Sequence, residues 1–378
     1  MHERAEKRTP TPTSADVDVA DAPDRDPGLT RKQTIPPASA GDAVHAPRIV
    51  SADAAPVELW RHLWENSTQA TFSESPWWAQ IWSEYSGGAM APEPALITFD
   101  DGSRAVLPLT RQTHHRVLTR YLLAPAGTYG GWLSDDLLDE RRARLLAEWL
   151  LAERAPLWWR PNPFDPLTDS LRALATDSRD DVTHVMPLPE GAESQLRHRG
   201  HRMAVNKARR AGLTVRRATD EQDWQRYLAV YDDTVRRWGE GGMVYRPELF
   251  ERLRVVGGKR VELWLVETAE GQTVAGAINL LGHRHVAGWH MVSLKEYHPA
   301  RPTNLLVHDC VVDAAKRGYA WFDMHPSGGL EGVAAFKEHC GGVTRPSPVV
   351  VIGPDPAARA AEHVLGALGR ARRLGSSA

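Results

Sequence analysis

Apolar residues recur along this chain at two spacings, and each spacing predicts elements. In residues 57–66, Leu59, Trp60, Leu63 and Trp64 share one side of a 3.6-residue turn, the pattern of an amphipathic helix. Ser75-Pro76 opens a second helix, with proline in its first turn and Trp78, Ile81, Trp82 and Tyr85 behind it. Residues 95–99 and 103–109 flank Asp101-Gly102, a strong hairpin signal. Residues 124–132, APAGTYGGW, read as a glycine-rich turn on a strand, with a spacing that fits neither a dinucleotide fingerprint nor a phosphate loop. An amphipathic helix rich in Arg and Leu follows over 137–153, then a short buried strand over 157–159.

From residue 194 to 219 there is no acid, but there are Arg197, Arg199, Arg202, Lys207, Arg209, Arg210, Arg216 and Arg217. Residues 199–211 have a helical pattern, Gly212 sits where a C-cap belongs, and a strand begins at 213. A helix over 223–238 ends in Arg236-Arg237-Trp238 and a glycine-rich loop, and a further helix over 247–254 follows Tyr245. Strands over 261–267, 274–281 and 285–293 are separated by short turns. A helix over 304–317 places Leu305, Leu306, Cys310, Val311 and Ala314 on its inner face. The strand over 319–324 then runs into polar residues and glycines and returns as a short helix bearing Phe336 and Lys337. Asp323, His325 and Lys337 are thereby expected at one strand end, where ligands of open α/β sheets usually sit. Three antiparallel strands, a helix and another strand make an α+β order.

Composition narrows the picture. A length of 378 residues favours two domains, read as 46–188 and 189–352. Residues 1–45, rich in Pro, Thr, Asp and Ala, are expected to be a disordered tail, and 353–378 a C-terminal helix and tail, helical over 356–373. The formal charge of −2 gives no global pull toward nucleic acid or membrane, so a nucleic-acid site must be a local patch. Cys310 and Cys340 are the only cysteines, which provides neither a disulfide framework nor a zinc set and suits a reducing cytoplasm. No apolar run approaches the roughly 20 residues of a membrane span, and no signal-peptide core opens the chain. Fourteen tryptophans are expected in core or cleft wall. The basic helix reads either as a solvated face aided by its C-terminal dipole or as a phosphate-binding face.

The second half resembles the acyltransferase fold of the GNAT superfamily, and the whole chain resembles its FemABX-like branch. The matching residues are TYGGW around Gly130-Gly131, KARRAGL from Lys207, RPTNLL before a helix ending KRGYAWFD, and GLEGVAAFKEHCGG. The resemblance covers roughly residues 46–352. It implies two tandem GNAT-like domains with a cleft between them. It also implies an amide-forming transferase: the best-known members move an amino acid from aminoacyl-tRNA to an amine on a peptidoglycan precursor. Other members act on other amines, some with other acyl donors. The Phe-Lys pair of that family falls on Phe336 and Lys337.

Aminolysis of an ester or thioester passes through a tetrahedral oxyanion, so a fixed cation helps, and Lys337 is its candidate. The amine must lose a proton, for which His290 is the first candidate base, followed by Asp323 and His325. Asp323 also reads as a residue that holds a neighbouring loop by hydrogen bonds. Phe336 and Asn304 are candidate substrate contacts, and Arg237, Trp238 and Tyr245 a candidate cationic and aromatic pocket wall. Arg199, Arg202, Lys207, Arg209 and Arg210 are the candidate tRNA contacts. Residues 298–306, HPARPTNLL, lack the glycines of a CoA pyrophosphate loop and contain two prolines, which favours aminoacyl-tRNA as donor. His283 and His285 alternate on a strand without a third ligand at metal spacing, so neither metal nor cofactor is expected. Two alternatives stand beside this reading: an acyl-CoA- or carrier-protein-dependent N-acyltransferase, and a non-catalytic RNA-binding or scaffold protein.

Overall fold

The computed structural model describes residues 46–114, 118–135, 138–154, 156–167, 177–188, 199–238 and 244–353. The expected tail over 1–45 and helix over 356–373 lie outside them. In chain order the first strands are β1 (Ile49–Ala54), β2 (Met90–Pro92), β3 (Ala95–Phe99), β4 (Arg104–Leu107), β5 (Thr110–His114), β6 (Leu118–Leu122), β7 (Tyr129–Gly130), β8 (Leu133–Ser134) and β9 (Leu157–Pro161). They continue as β10 (Asp177–Arg179), β11 (Val182–Pro187), β12 (Thr214–Arg217), β13 (Val261–Glu267), β14 (Thr273–Leu281), β15 (His285–Ser293), β16 (Trp321–Pro326), β17 (Val343–Pro346) and β18 (Val349–Ile352). The α-helices are α1 (Val57–Asn66), α2 (Pro76–Tyr85), α3 (Glu140–Glu153), α4 (Arg199–Arg210), α5 (Glu221–Trp238), α6 (Pro247–Gly257), α7 (Pro302–Lys316) and α8 (Glu331–His339).

Local signals in the sequence are realised as elements. The Ser75 side chain caps α2 by accepting from the Trp78 amide at 3.2 Å, with Pro76 in the first turn, where it removes no helical hydrogen bond. Asp101-Gly102 turns between β3 and β4, and Gly102 has φ +84°, a conformation that favours glycine. Gly212 follows α4 with φ +76°, the left-handed position of a helix end.

Each half contains a strand–helix–strand unit whose strands pair in parallel: β6, α3 and β9 in the first, β15, α7 and β16 in the second. In the second half β12, β13, β14 and β15 form an antiparallel run before the unit. This is the expected tandem α+β arrangement. The halves nevertheless exchange strands. β11 pairs with β16 and β17 in the second sheet, whereas β18 pairs with β9 and β10 in the first. The sheets therefore do not separate at a single cut near residue 188.

The seam between the halves is packed. One core joins Trp60, Phe72, Trp78 and Ile81 of the first half to Tyr227, Phe250, Leu263 and Ile278 of the second. Burying side chains of this size stabilises the seam by about 1.5–3 kcal/mol each. Of two further cores, one lies under α3 and takes in Val350 of β18, and one lies between α4, α7 and the second sheet and takes in Met186 of β11.

Candidate active site

The middle of β16 carries a carboxylate removed from water. Asp323 pairs in register with Ala287 of β15 on one side and with Val185 of β11 on the other. These neighbours bring donors to it. Thr183 Oγ1 donates to Asp323 Oδ1 at 2.7 Å, and His285 Nε2 lies 3.3 Å from Oδ2. The His325 amide donates to Oδ1 at 2.8 Å. Burial alone raises the Asp323 pKa, but the electrostatic pull of His325 and the hydrogen bond and pull of His285 outweigh it and hold the carboxyl well below its usual range. The fourth partner is one step out: Tyr129 Oη, from the first half, donates to Thr183 Oγ1 at 2.7 Å.

His325 adopts φ +59°, an uncommon value for a residue with a Cβ. Its ring lies flat on Tyr129, with centroids 5.2 Å apart and planes 9° from parallel. Burial pushes its pKa down to about 4 against the opposing pull of Asp323, so the ring is neutral at pH 7. Lys337 reaches the same turn from α8. Its Nζ donates to His325 O at 2.7 Å and to Pro326 O at 3.1 Å. Only 8% of the residue is exposed, and burial lowers its pKa to about 8 despite Asp323 and Asp181. Asp323, His325 and Lys337 thus meet at the strand end, as their spacing predicted.

His290 shares the sheet face of Asp323 but sits in other company. A register shift between Ile278 and Asn279 leaves Trp289 as an extra residue opposite β14. His290 then enters an aromatic cluster, with the rings of Tyr227, Tyr231, Tyr245, Phe250 and Trp289 between 5.3 and 6.1 Å away. Its Nδ1 is hydrogen-bonded to Tyr227 Oη, and burial lowers its pKa to about 4. Tyr245 belongs to this cluster rather than to a pocket wall with Arg237. Arg237 donates to Thr234 Oγ1 and to Ser293 O at 3.2 and 3.1 Å, tying α5 to the end of β15. The side chains of Trp238 and Arg199 lie outside the described residues.

A cleft of about 730 Å³ opens between α4, α7 and α8. Lys207 and Arg210 of α4, Arg301 and Asn304 at the start of α7, and Phe336 and His339 of α8 line it, and among the described residues no carboxylate does. All these lining residues come from the second half. A smaller pocket of about 270 Å³ adjoins it and shares Arg301, Asn304 and Phe336. Asn304 is buried, with Nδ2 3.4 Å from His201 Nδ1, which ties α7 to α4 at the cleft floor. Of the other basic residues, Arg209 pairs with Asp309 at 3.3 Å and Arg202 is exposed. Phe336 faces the cleft while Lys337, one position on, is turned toward β16.

Sequence reasoning missed three members of this site. Thr183 lay in a segment assigned no element, Tyr129 was noted only within the TYGGW turn, and His285 only as a strand histidine that lacks a third metal ligand. The signal for Tyr129 was a buried-size aromatic directly before Gly130-Gly131.

Comparisons place this geometry among known proteins. Residues 196–338 match the family described as acetyltransferase (GNAT) domain, a span that includes Lys337 and every cleft residue named above except His339. The crystal structure of FemX is similar, with 14% identity and a TM-score of 0.62 over 83% of this chain and 99% of that one. A conserved protein of unknown function from Bacteroides thetaiotaomicron VPI-5482 is similar at 11% identity and a TM-score of 0.52, over 80% of this chain and 100% of that one. No curated protein matches the chain. At such identities the structural likeness establishes the fold: the chain has a FemX-like fold, and residues 196–338 within it match a GNAT acetyltransferase domain.

Proposed function

We propose that this chain transfers an aminoacyl group from aminoacyl-tRNA to an amine, on a peptidoglycan precursor or a natural-product intermediate, forming an amide. The observation that carries this reading is the cleft lined by Lys207, Arg210 and Arg301 with no carboxylate among its described residues. Clustered cations without compensating acids favour an anionic ligand, and a phosphodiester end is one. Its volume of about 730 Å³ falls in the range of small-ligand sites.

The chemistry is assigned to Lys337, the neighbour of Phe336 in the cleft wall, and to His290 of β15. The acceptor amine attacks the ester carbon as the free base, and the carbonyl oxygen becomes an oxyanion. Once its nitrogen has bonded to carbon, the amine passes a proton to His290 Nε2, the nitrogen left to accept when Nδ1–H donates to Tyr227. Two of the three Lys337 N–H groups are held by His325 O and Pro326 O, which leaves one for that oxyanion. Collapse breaks the ester C–O bond, and the ribose oxygen leaves with the proton.

A second reading, an acyl-CoA donor, has one observation in its favour. Pro302 occupies the first position of α7, where its missing N–H removes no helical bond, so the proline does not spoil the helix N-terminus beside Arg301. The test is incubation with charged total tRNA in parallel with a panel of acyl-CoAs, using lysate metabolites as acceptors and mass analysis of donor loss. Loss of the aminoacyl ester alone supports the first reading, loss of an acyl-CoA alone the second, and loss of neither refutes both.

A further inference from the structure

The groups that hold Lys337 in place come from both halves of the chain. Lys337 is fixed by two backbone carbonyls, those of His325 and Pro326. Those carbonyls point at the ammonium because His325 is in the left-handed region, at φ +59°. Two contacts hold it there. Asp323 Oδ1 accepts from the His325 amide at 2.8 Å, and the Tyr129 ring supports the imidazole from the other side. Tyr129 also steadies the carboxylate, through the hydroxyl of Thr183. Tyr129 is itself tied into the first half, where its carbonyl accepts from Ser73 Oγ at 2.8 Å.

We propose that Asp323 and Tyr129 are positioning residues that set the place and charge of Lys337, so that a side chain of the first half completes the transfer site of the second. This rests on the reading of Lys337 as the cation of that site. Non-glycine residues with positive φ persist only where their surroundings over-determine them, and such strain gathers at functional sites. Asp323 is too deeply buried and too fully bonded to take a proton from an acceptor amine, which removes it as a base and leaves it this role.

The charged and titratable groups around the ammonium are Asp323 and His325 of β16, His285 of β15, Asp181 with its partner Arg160 of β9, His184 of β11, and Glu338 beside it on α8. Two substitutions therefore move Lys337 in opposite directions. Asp323→Asn keeps the shape and removes the negative charge that acts most strongly on Lys337, which makes the ammonium harder to hold. Tyr129→Leu removes the ring under His325 and admits water, which relieves the burial that disfavours the ammonium.

The experiment reads the amine directly. The full chain is pulse-labelled with acetic anhydride across a pH series, and acetylation of Lys337 is followed by peptide mass spectrometry. The wild-type midpoint is expected near 8. Asp323→Asn is expected to lower it by about one pH unit or more, and Tyr129→Leu to raise it toward the ordinary lysine value of 10.5, with Tyr129→Phe between wild type and Tyr129→Leu. An unchanged midpoint in Asp323→Asn, or a wild-type profile in a folded Tyr129→Leu, overturns the proposal. Should the leucine variant fail to fold, Asp323→Asn alone decides it. Because no turnover is measured, failure here is distinct from failure of the transfer reading, which Lys337→Met tests.

Discussion

Gly200 of α4 lies so close to His339 of α8 that a Cβ there would come within 2.2 Å of the imidazole Cε1. Both residues line the cleft. A methyl group at Gly200 has only one way out, which is to turn the imidazole into the cleft, because the helix backbones are fixed by the core beneath them. Gly200→Ala is therefore expected to leave the melting temperature unchanged or slightly raised, since alanine favours a helix over glycine by up to about 1 kcal/mol. Donor binding should weaken about tenfold, or about 1.4 kcal/mol. Thermal melts and a tRNA titration on the same variant check this, and unaltered affinity would place the donor elsewhere.

The basic residues of α4 are not equivalent. Lys207 and Arg210 line the cleft, whereas Arg209 is already paired with Asp309 at 3.3 Å. If tRNA phosphates lie there, binding falls as salt rises, and each lost phosphate contact lowers the slope of log K against log salt by about 0.7–0.9. Lys207→Ala and Arg210→Ala are each expected to lower it by that amount, and Arg209→Ala by less. Replacing Arg202, Lys207, Arg209 and Arg210 together should remove most of the binding. Anisotropy titrations at several salt concentrations measure the slopes; a salt-independent constant would exclude this face.

What could be read from the sequence was local. The cap at Ser75, the turn at Gly102 and the end of α4 at Gly212 each depend on a few neighbouring residues, and each formed as its pattern predicted. Asp323, His325 and Lys337 were legible for the same reason, since a strand, a glycine turn and a helix separate them by only 14 positions. Thr183 was not, because it reaches Asp323 across 140 positions by the exchange of β11 into the second sheet. Nor was the neighbourhood of His290, where one extra residue opposite β14 breaks the simple alternation of side chains along the strand. Long-range pairing and bulges leave no periodic trace, and both act at this site.

Glu74 predicts how stability depends on pH. It is 1% exposed, its carboxylate accepts from the Thr71 amide at 2.8 Å and from Asn162 Nδ2 at 3.0 Å, and burial nonetheless raises its pKa from 4.5 to about 8. The folded state therefore keeps a proton that the unfolded chain loses from about pH 4.5 upward. Between about 4.5 and 8 the native form binds more protons, so stability falls as pH rises and the loss is complete above about 8. Each tenfold difference in proton affinity between the folded and unfolded chain is worth about 1.36 kcal/mol, so the fall is on the order of a few kcal/mol. Glu74→Gln has nothing to ionise and is expected to lack it. Urea unfolding at pH 5 and pH 9 should show the variant gaining on the wild type at the higher pH, and equal differences at both would refute the assignment.

Lys337 gives the sharpest test of the chemistry. Its ammonium holds two carbonyls, so its removal could act on structure or on turnover, and the two are separable. A surface lysine paired with a neighbouring glutamate contributes well under about 1 kcal/mol and has no effect on rate. An oxyanion donor acts only in the transition state, so its loss lowers turnover at saturating substrate and leaves affinity unchanged. Removing one such donor costs on the order of 100-fold or more. Lys337→Met, of similar length and without charge, is expected to fold with a melting temperature lowered by the two carbonyls left unpaired, and to lose that much turnover at temperatures where it is fully folded. The same argument fixes a pH limb. Burial lowers the Lys337 pKa to about 8, so the protonated form that the oxyanion needs is present below that pH and lost above it. Wild-type turnover should fall through about pH 8 and the residual turnover of Lys337→Met should not. Normal turnover in the variant, or an identical limb in both proteins, would remove Lys337 from the reaction.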